Sequence, residues 1–405
     1  MKEMTSRERV YAAINHREPD RVPVSFSGTF DTGITECPPD GRICSELYQY
    51  LGITDYAPVE YADWFNIVTN VDERVAQRLR SDMRWIGPNE PGAIVQGDGT
   101  KTWPYLCGIR IKKVGYYDEP FEWPMRHMTT KDDIDAYPWP DLSVDIMDGV
   151  VERAKYLHEQ TDYFVVGESP GIIFPFAAYA VLCGMDKWLT DMKIRPQFYH
   201  QLCEKLLEIG TAINDQFFRG VGQYLDGVMT QDDLGTQVGG LISHDDYLEF
   251  YHPYTKEIVR NIKKHLRPEA KIIRHSCGSV YYAIADLIDL RVDVLHGVQP
   301  LARNMEPWRL KREFGDRITF LGGLDIQQLL PLATPDQVRE GVKKLIAEYG
   351  SGGGYIFAPA HNIEPDTPPE NIVSAYDAAF EYGRYPIPEA TGESYVDYIG
   401  ALKLH

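Results

Sequence analysis

The stretch Lys271-Ile272-Ile273-Arg274-His275-Ser276-Cys277-Gly278 decides the fold and points to the chemistry. It is a short apolar, β-branched run that ends in polar residues and a glycine turn. Runs of this kind recur along the second half of the chain, at residues 162–167, 225–230, 271–275, 292–295, 318–321 and 355–358. Long amphipathic stretches at 146–159, 196–219, 245–265, 334–349 and 369–382 separate many of them. Strand followed by helix at this cadence specifies a parallel sheet, and enough units for closure favour a (β/α)8 barrel over an open doubly wound sheet. No G-x-G-x-x-G follows a first strand, which argues against a dinucleotide-binding fold. The chain reads as a single barrel domain over 1–405 with a β-rich excursion near residues 85–122, where Ile109, Ile111, Val114, Tyr116 and Tyr117 alternate among glycines and prolines.

Upstream, Thr5 and Ser6 stand ahead of Glu8 as a helix-capping signal, with Val10, Ala13 and Ile14 at helical spacing behind them. Residues 21–26 read as a short strand, with Pro23 at its start or edge. Residues 31–40 read as a loop, 42–51 and 71–83 as helices and 59–68 as extended.

Composition narrows the partners. The 405 residues carry a net charge of -19, which opposes phosphate backbones and anionic lipid surfaces, so nucleic acid and membrane are not expected. The first residues, Met1 to Glu8, contain no apolar run of signal-peptide length, and a cytoplasmic location is expected. Six cysteines without a CxxC pair read as thiols.

In an α/β barrel the reacting groups lie where strands end. Glu168, Asp232, Asp233, His275, Cys277, His296, Gln299, Asp325, His361 and Asn362 all follow apolar runs in this way. His275 and Cys277 are two apart on an extended segment and point to one side, as half of a zinc site would. His361, on the last strand-to-helix loop, is the best placed third ligand. The alternative is a buried thiol and a hydrogen-bonded histidine under a glycine turn. Of the adjacent Asp232 and Asp233, only one can face the interior, as acid, base or cation anchor; helix capping is the other reading. Glu168 is a fourth ligand, a proton acceptor or a cap. Asp325 binds substrate if a pocket places it inward and otherwise caps a helix, and His296 and Gln299 are candidate hydrogen-bonding partners of a polar ligand.

These residues, in this order, resemble the uroporphyrinogen decarboxylase superfamily. The resemblance is carried by Ser6-Arg7-Glu8-Arg9-Val10, Asp20-Arg21-Val22-Pro23-Val24, Asp232-Asp233-Leu234-Gly235, His275-Ser276-Cys277-Gly278, Gly322-Gly323-Leu324-Asp325 and Ala360-His361-Asn362-Ile363 with Pro365-Asp366-Thr367-Pro368-Pro369-Glu370-Asn371. It implies a (β/α)8 barrel. True decarboxylases use an arginine-rich segment of the form RQAGRY, whereas this chain has Val24-Ser25-Phe26-Ser27-Gly28-Thr29-Phe30. The branch that fits is that of the cobalamin-dependent methyltransferases, whose zinc is held by His-x-Cys and a later Cys; here His361 takes the later position. This branch implies zinc on His275, Cys277 and His361, a small methylated or methoxylated substrate or a thiol, and a corrinoid on a separate carrier protein. O-demethylation with Tyr61, Trp64 and Phe65 lining the pocket also fits; family members are often dimers, which makes a homodimer one candidate assembly, and the residues leave the oligomeric state open. The rivals are a metal-free decarboxylase on the same fold and a non-catalytic binding barrel.

Overall fold

The computed structural model describes residues 3–26, 28, 33–35, 42–56, 61–62, 67–68, 71–89, 92–103, 107–115, 117–170 and 175–402. Seven strands form one curled sheet in chain order: β1 (Met83–Ile86), β2 (Phe164–Glu168), β3 (Gly227–Gln231), β4 (Lys271–His275), β5 (Val294–Gly297), β6 (Thr319–Leu324) and β7 (Tyr355–Pro359). Each is parallel to its neighbours. All six strands expected from the apolar runs are present. The seventh, β1, falls where the sequence reads as the end of a helix and the start of the excursion. All four of its residues are buried, so it lacks the alternation that marks a half-exposed strand. The helix expected before it is correspondingly short, Glu73–Arg78.

Residues 22–26 occupy the eighth position and close the barrel. Val24 forms a parallel bridge to Phe357 of β7. On that side the Ser25 N–H donates to the Phe357 carbonyl and the Phe357 N–H to that of Pro23, both at 2.9 Å; on the other, the Asp82 N–H donates to the Val24 carbonyl at 2.8 Å. Pro23 is tolerated because its missing N–H is not needed there.

The fully buried Asp82 carboxylate locks this seam. It accepts from Arg9 Nη1 at 2.7 Å, Arg21 Nη1 at 2.8 Å, Ser6 Oγ at 2.8 Å and the Val24 N–H at 2.9 Å. The N-terminal helix, Ser6–Ile14, opens with the expected capping box, Thr5 with Glu8. Its Val10 and Ile14 plug the barrel, packing with Met83, Trp85, Phe164, Val166, Met229, Ile273, Val294, Leu321, Ile356 and Ala358 as one interior cluster. Those residues are one face of each strand. The other face packs against the outer helices in a separate cluster.

The excursion is a four-stranded antiparallel sheet of Ile94–Val95, Lys101–Trp103, Ile109–Val114 and Tyr117–Glu122. It starts later than expected, because β1 takes Trp85 and Ile86. Its Tyr117 hydroxyl hydrogen-bonds the Glu364 carboxylate just beyond His361, which brings it to the rim where the strands end. Among the described residues, no helix is long and apolar enough to cross a membrane.

Removing Asp82 would leave Arg9 and Arg21 without a shared counter-charge in a buried seam. Asp82→Ala is therefore expected to cost about 3–5 kcal/mol in urea unfolding. Asp186→Ala, which removes the partner of Arg126 from an exposed pair, should leave the urea midpoint unchanged.

Candidate metal centre

Period-two alternation carries the interior face of each strand up into the site. Above Ile273 the next inward residue of β4 is His275, followed beyond the strand end by Cys277; above Met229 on β3 come Gln231 and then Asp233. Register sets the neighbours. Gln231 pairs with His275, His275 with His296, His296 with Leu321 and Leu321 with Ile356, so these five side chains leave the sheet on its inward face, with Gln231, His275 and His296 side by side. Leu321 and Ile356 belong to the apolar interior cluster beneath the site.

Cys277 Sγ is 3.3 Å from His275 Nε2, and the His361 ring lies 5.5 Å from that of His275. One ligating atom from each of His275, Cys277 and His361 falls within 4.8 Å of the other two, and among the described residues this is the group that could hold a metal ion. The three expected ligands are thus brought together. Two come from the end of β4 and the third from the segment after β7, three strands further round the barrel.

The adjacent aspartates separate as alternation requires. Asp233 is at the triad, with its side chain 55% exposed and Oδ1 3.6 Å from His275 Nε2. The same oxygen accepts the Cys277 N–H at 2.8 Å. Asp232 points outward between the strands and the helix layer, with its side chain 1% exposed and Oδ2 4.0 Å from Arg274 Nη2. Arg274, fully buried, also donates to the Tyr251 hydroxyl. Tyr251 ends a π-helical turn, Tyr247–Tyr251, an insertion of the kind often found near functional sites.

Burial governs the electrostatics. It holds His275 well below the usual imidazole range, with His361 and Arg274 adding to the effect. His296 is lowered in the same way, and then by the two other histidines. His361 is lowered by desolvation against the opposing pull of Asp233. Neutral imidazoles are the form that binds a metal. Burial raises the Asp232 carboxyl well above its ordinary range, with Arg274 opposing.

Gln299 Oε1 accepts from the Gly278 N–H at 2.7 Å and from Gln237 Nε2 at 3.2 Å, holding the turn beyond Cys277. Asp325 accepts from the Gln328 and Leu329 N–H groups at 2.7 and 2.8 Å, capping the short helix Leu329–Leu332. Glu168 ends β2, on the face that carries Val166. Tyr61 lies in a two-residue strand whose side chains are outside the described residues, as are Trp64 and Phe65.

The sequence reading treats His296 only as a possible ligand contact. In the structure its Nδ1 is 2.7 Å from His275 Nδ1. Its parity was the available signal: His296 follows Val294 at the two-residue spacing that links His275 to Ile273.

The chain matches the family model described as uroporphyrinogen decarboxylase over residues 122–382. It is 27% identical over 283 residues to a protein named uroporphyrinogen decarboxylase from Hahella chejuensis, covering 66% of this chain and 73% of that protein. A protein of the same name from Pseudomonas putida is 28% identical over 278 residues, covering 66% and 74%. Among solved structures, a methyltransferase from Methanosarcina mazei superimposes with a TM-score of 0.63 at 19% identity, covering 94% of this chain and 99% of that one; this likeness concerns the fold. With the strand-end motifs placed on one closed barrel and the family model spanning most of it, the chain belongs to the uroporphyrinogen decarboxylase family.

Proposed function

We propose that this protein is a methyltransferase that moves a methyl group between a small methylated or methoxylated substrate, or a thiol, and a corrinoid held by a partner protein. The observation that carries the reading is the convergence of His275, Cys277 and His361 at the strand ends. Two imidazoles and a thiol are a zinc donor set. In a tetrahedral zinc site the edge between a sulfur and a nitrogen ligand is about 3.6 Å, and the Cys277 Sγ to His275 Nε2 separation is 3.3 Å. All three ligating atoms lie within 4.8 Å of one another, and the chemistry of this donor set fits zinc.

Zinc bound there would supply Lewis acidity, lowering the pKa of a substrate thiol or polarising the oxygen of a methyl donor. The chain's own residues do the rest. Gln299 and Asp233 pin the backbone on either side of the Cys277 thiol. Asp233, half exposed beside His275, is the carboxylate placed to take or return the substrate proton. Asp232 and Arg274 support the strand ends from outside. The apolar layer beneath His275 keeps water from below the reacting atoms, which strengthens every charge interaction above it.

Metal-free decarboxylation is the second reading, and it rests on the names of the curated relatives. Inductively coupled plasma mass spectrometry separates the two. Near-stoichiometric zinc in wild type, lost in Cys277→Ala, is expected, together with methylcobalamin-dependent methyl transfer that Cys277→Ala abolishes. A metal-free wild type would put the decarboxylase first.

Asp233→Asn is expected to lower kcat by about a hundredfold with the metal retained, whereas Asp232→Asn should show its main effect in thermal unfolding. Because His275 and His361 are held neutral below the usual range, protons compete weakly for them. Zinc should stay bound through dialysis at pH 6, where an ordinary histidine of pKa about 6.5 is mostly protonated.

A further inference from the structure

We infer that His296 is a positioning residue: its imidazole fixes the tautomer of His275 so that Nε2 of His275 presents a lone pair beside Cys277. The inference rests on the metal-centre reading above. His275 Nδ1 and His296 Nδ1 are 2.7 Å apart and the ring centroids 4.9 Å apart, so one nitrogen carries the proton and the other accepts it. Both side chains are buried, and they stand side by side because His275 and His296 are register partners on β4 and β5.

The choice of donor follows from the other end of each ring. His275 Nε2 faces Cys277 Sγ at 3.3 Å and Asp233 Oδ1 at 3.6 Å. To bind a metal with Nε2, a neutral imidazole must hold its proton on Nδ1. Nδ1 of His275 then donates and Nδ1 of His296 accepts, which leaves the His296 proton on Nε2. That atom is buried, and among the described residues it has no hydrogen-bond partner. Metal-ligating histidines commonly rest the second ring nitrogen on a carboxylate or a carbonyl. Here the acceptor is a neutral imidazole, which orients the ligand without adding negative charge beneath the site.

The test uses full-length protein stripped of metal and refilled with Co(II), titrated against a chelator of known affinity, for wild type, His296→Asn and His296→Leu. The Asn Oδ1 stands near the position of the imidazole Nδ1 and can still accept, whereas Leu cannot. His296→Leu is expected to lower Co(II) affinity by roughly ten- to a hundredfold, with the Co(II)–thiolate charge-transfer band retained because Cys277 still binds, and His296→Asn should stay near the wild-type value. Equal affinity in all three proteins would overturn the inference and leave the metal reading standing; a wild type that takes up no Co(II) would overturn both. Should His296→Leu fail to fold, long-range 1H–15N correlation of the imidazole nitrogens in metal-free wild type decides. A proton on Nδ1 of His275 and Nε2 of His296 supports the assignment, and the reverse pair of tautomers overturns it.

Discussion

The Asp82 carboxylate is the point on which the barrel closes. A curled parallel sheet has two open edges, and an unpaired edge in a buried setting is costly because its N–H and C=O groups lose water without gaining partners. Here the gap between β7 and β1 is filled by residues 22–26, too short and too proline-constrained to hold it by ladder hydrogen bonds alone. Asp82 adds what is missing, with Arg9, Arg21, Ser6 and the Val24 N–H converging on one buried carboxylate. The N-terminal helix is drawn under the barrel by the same contacts, which seats Val10 and Ile14 in its base.

Closure matters to the site because it sets the curvature. Gln231, His275 and His296 stand side by side only while β3, β4 and β5 keep their register, and the curvature carries His361 round to face His275. Beneath them the interior is apolar, and burial favours the neutral imidazoles. Above them, Asp233 meets solvent. Outside the barrel wall, Arg274 and Asp232 form a second polar group beneath the π-helical turn at Tyr247–Tyr251. The two polar groups are separated by the direction in which successive side chains leave one strand, and that is why adjacent aspartates occupy such different surroundings.

The strands from β2 to β7 and the long helices were legible from apolar runs and helical spacing, and so was the collection of polar residues at strand ends. β1 was not, since a strand buried on both faces has no alternation and Met83 can extend a helical pattern as well as begin a strand. Asp325 illustrates a different limit: a carboxylate after a glycine pair reads equally as a ligand contact or a cap, and only the N–H groups of Gln328 and Leu329 show where its oxygens are used.

By itself the sequence determined the barrel class, the family, and the pairing of His275 with Cys277 on one side of a strand end, because all three depend on local periodicity and on motifs read along the chain. Tertiary structure alone decided that Asp233 and not Asp232 stands at the triad and that His296 lies against His275, and it brought His361, offered by the sequence as third ligand, within reach of the pair. Those relations join strands far apart in sequence, and they are set by sheet register and by the closure of the barrel, neither of which leaves a signal in any short segment.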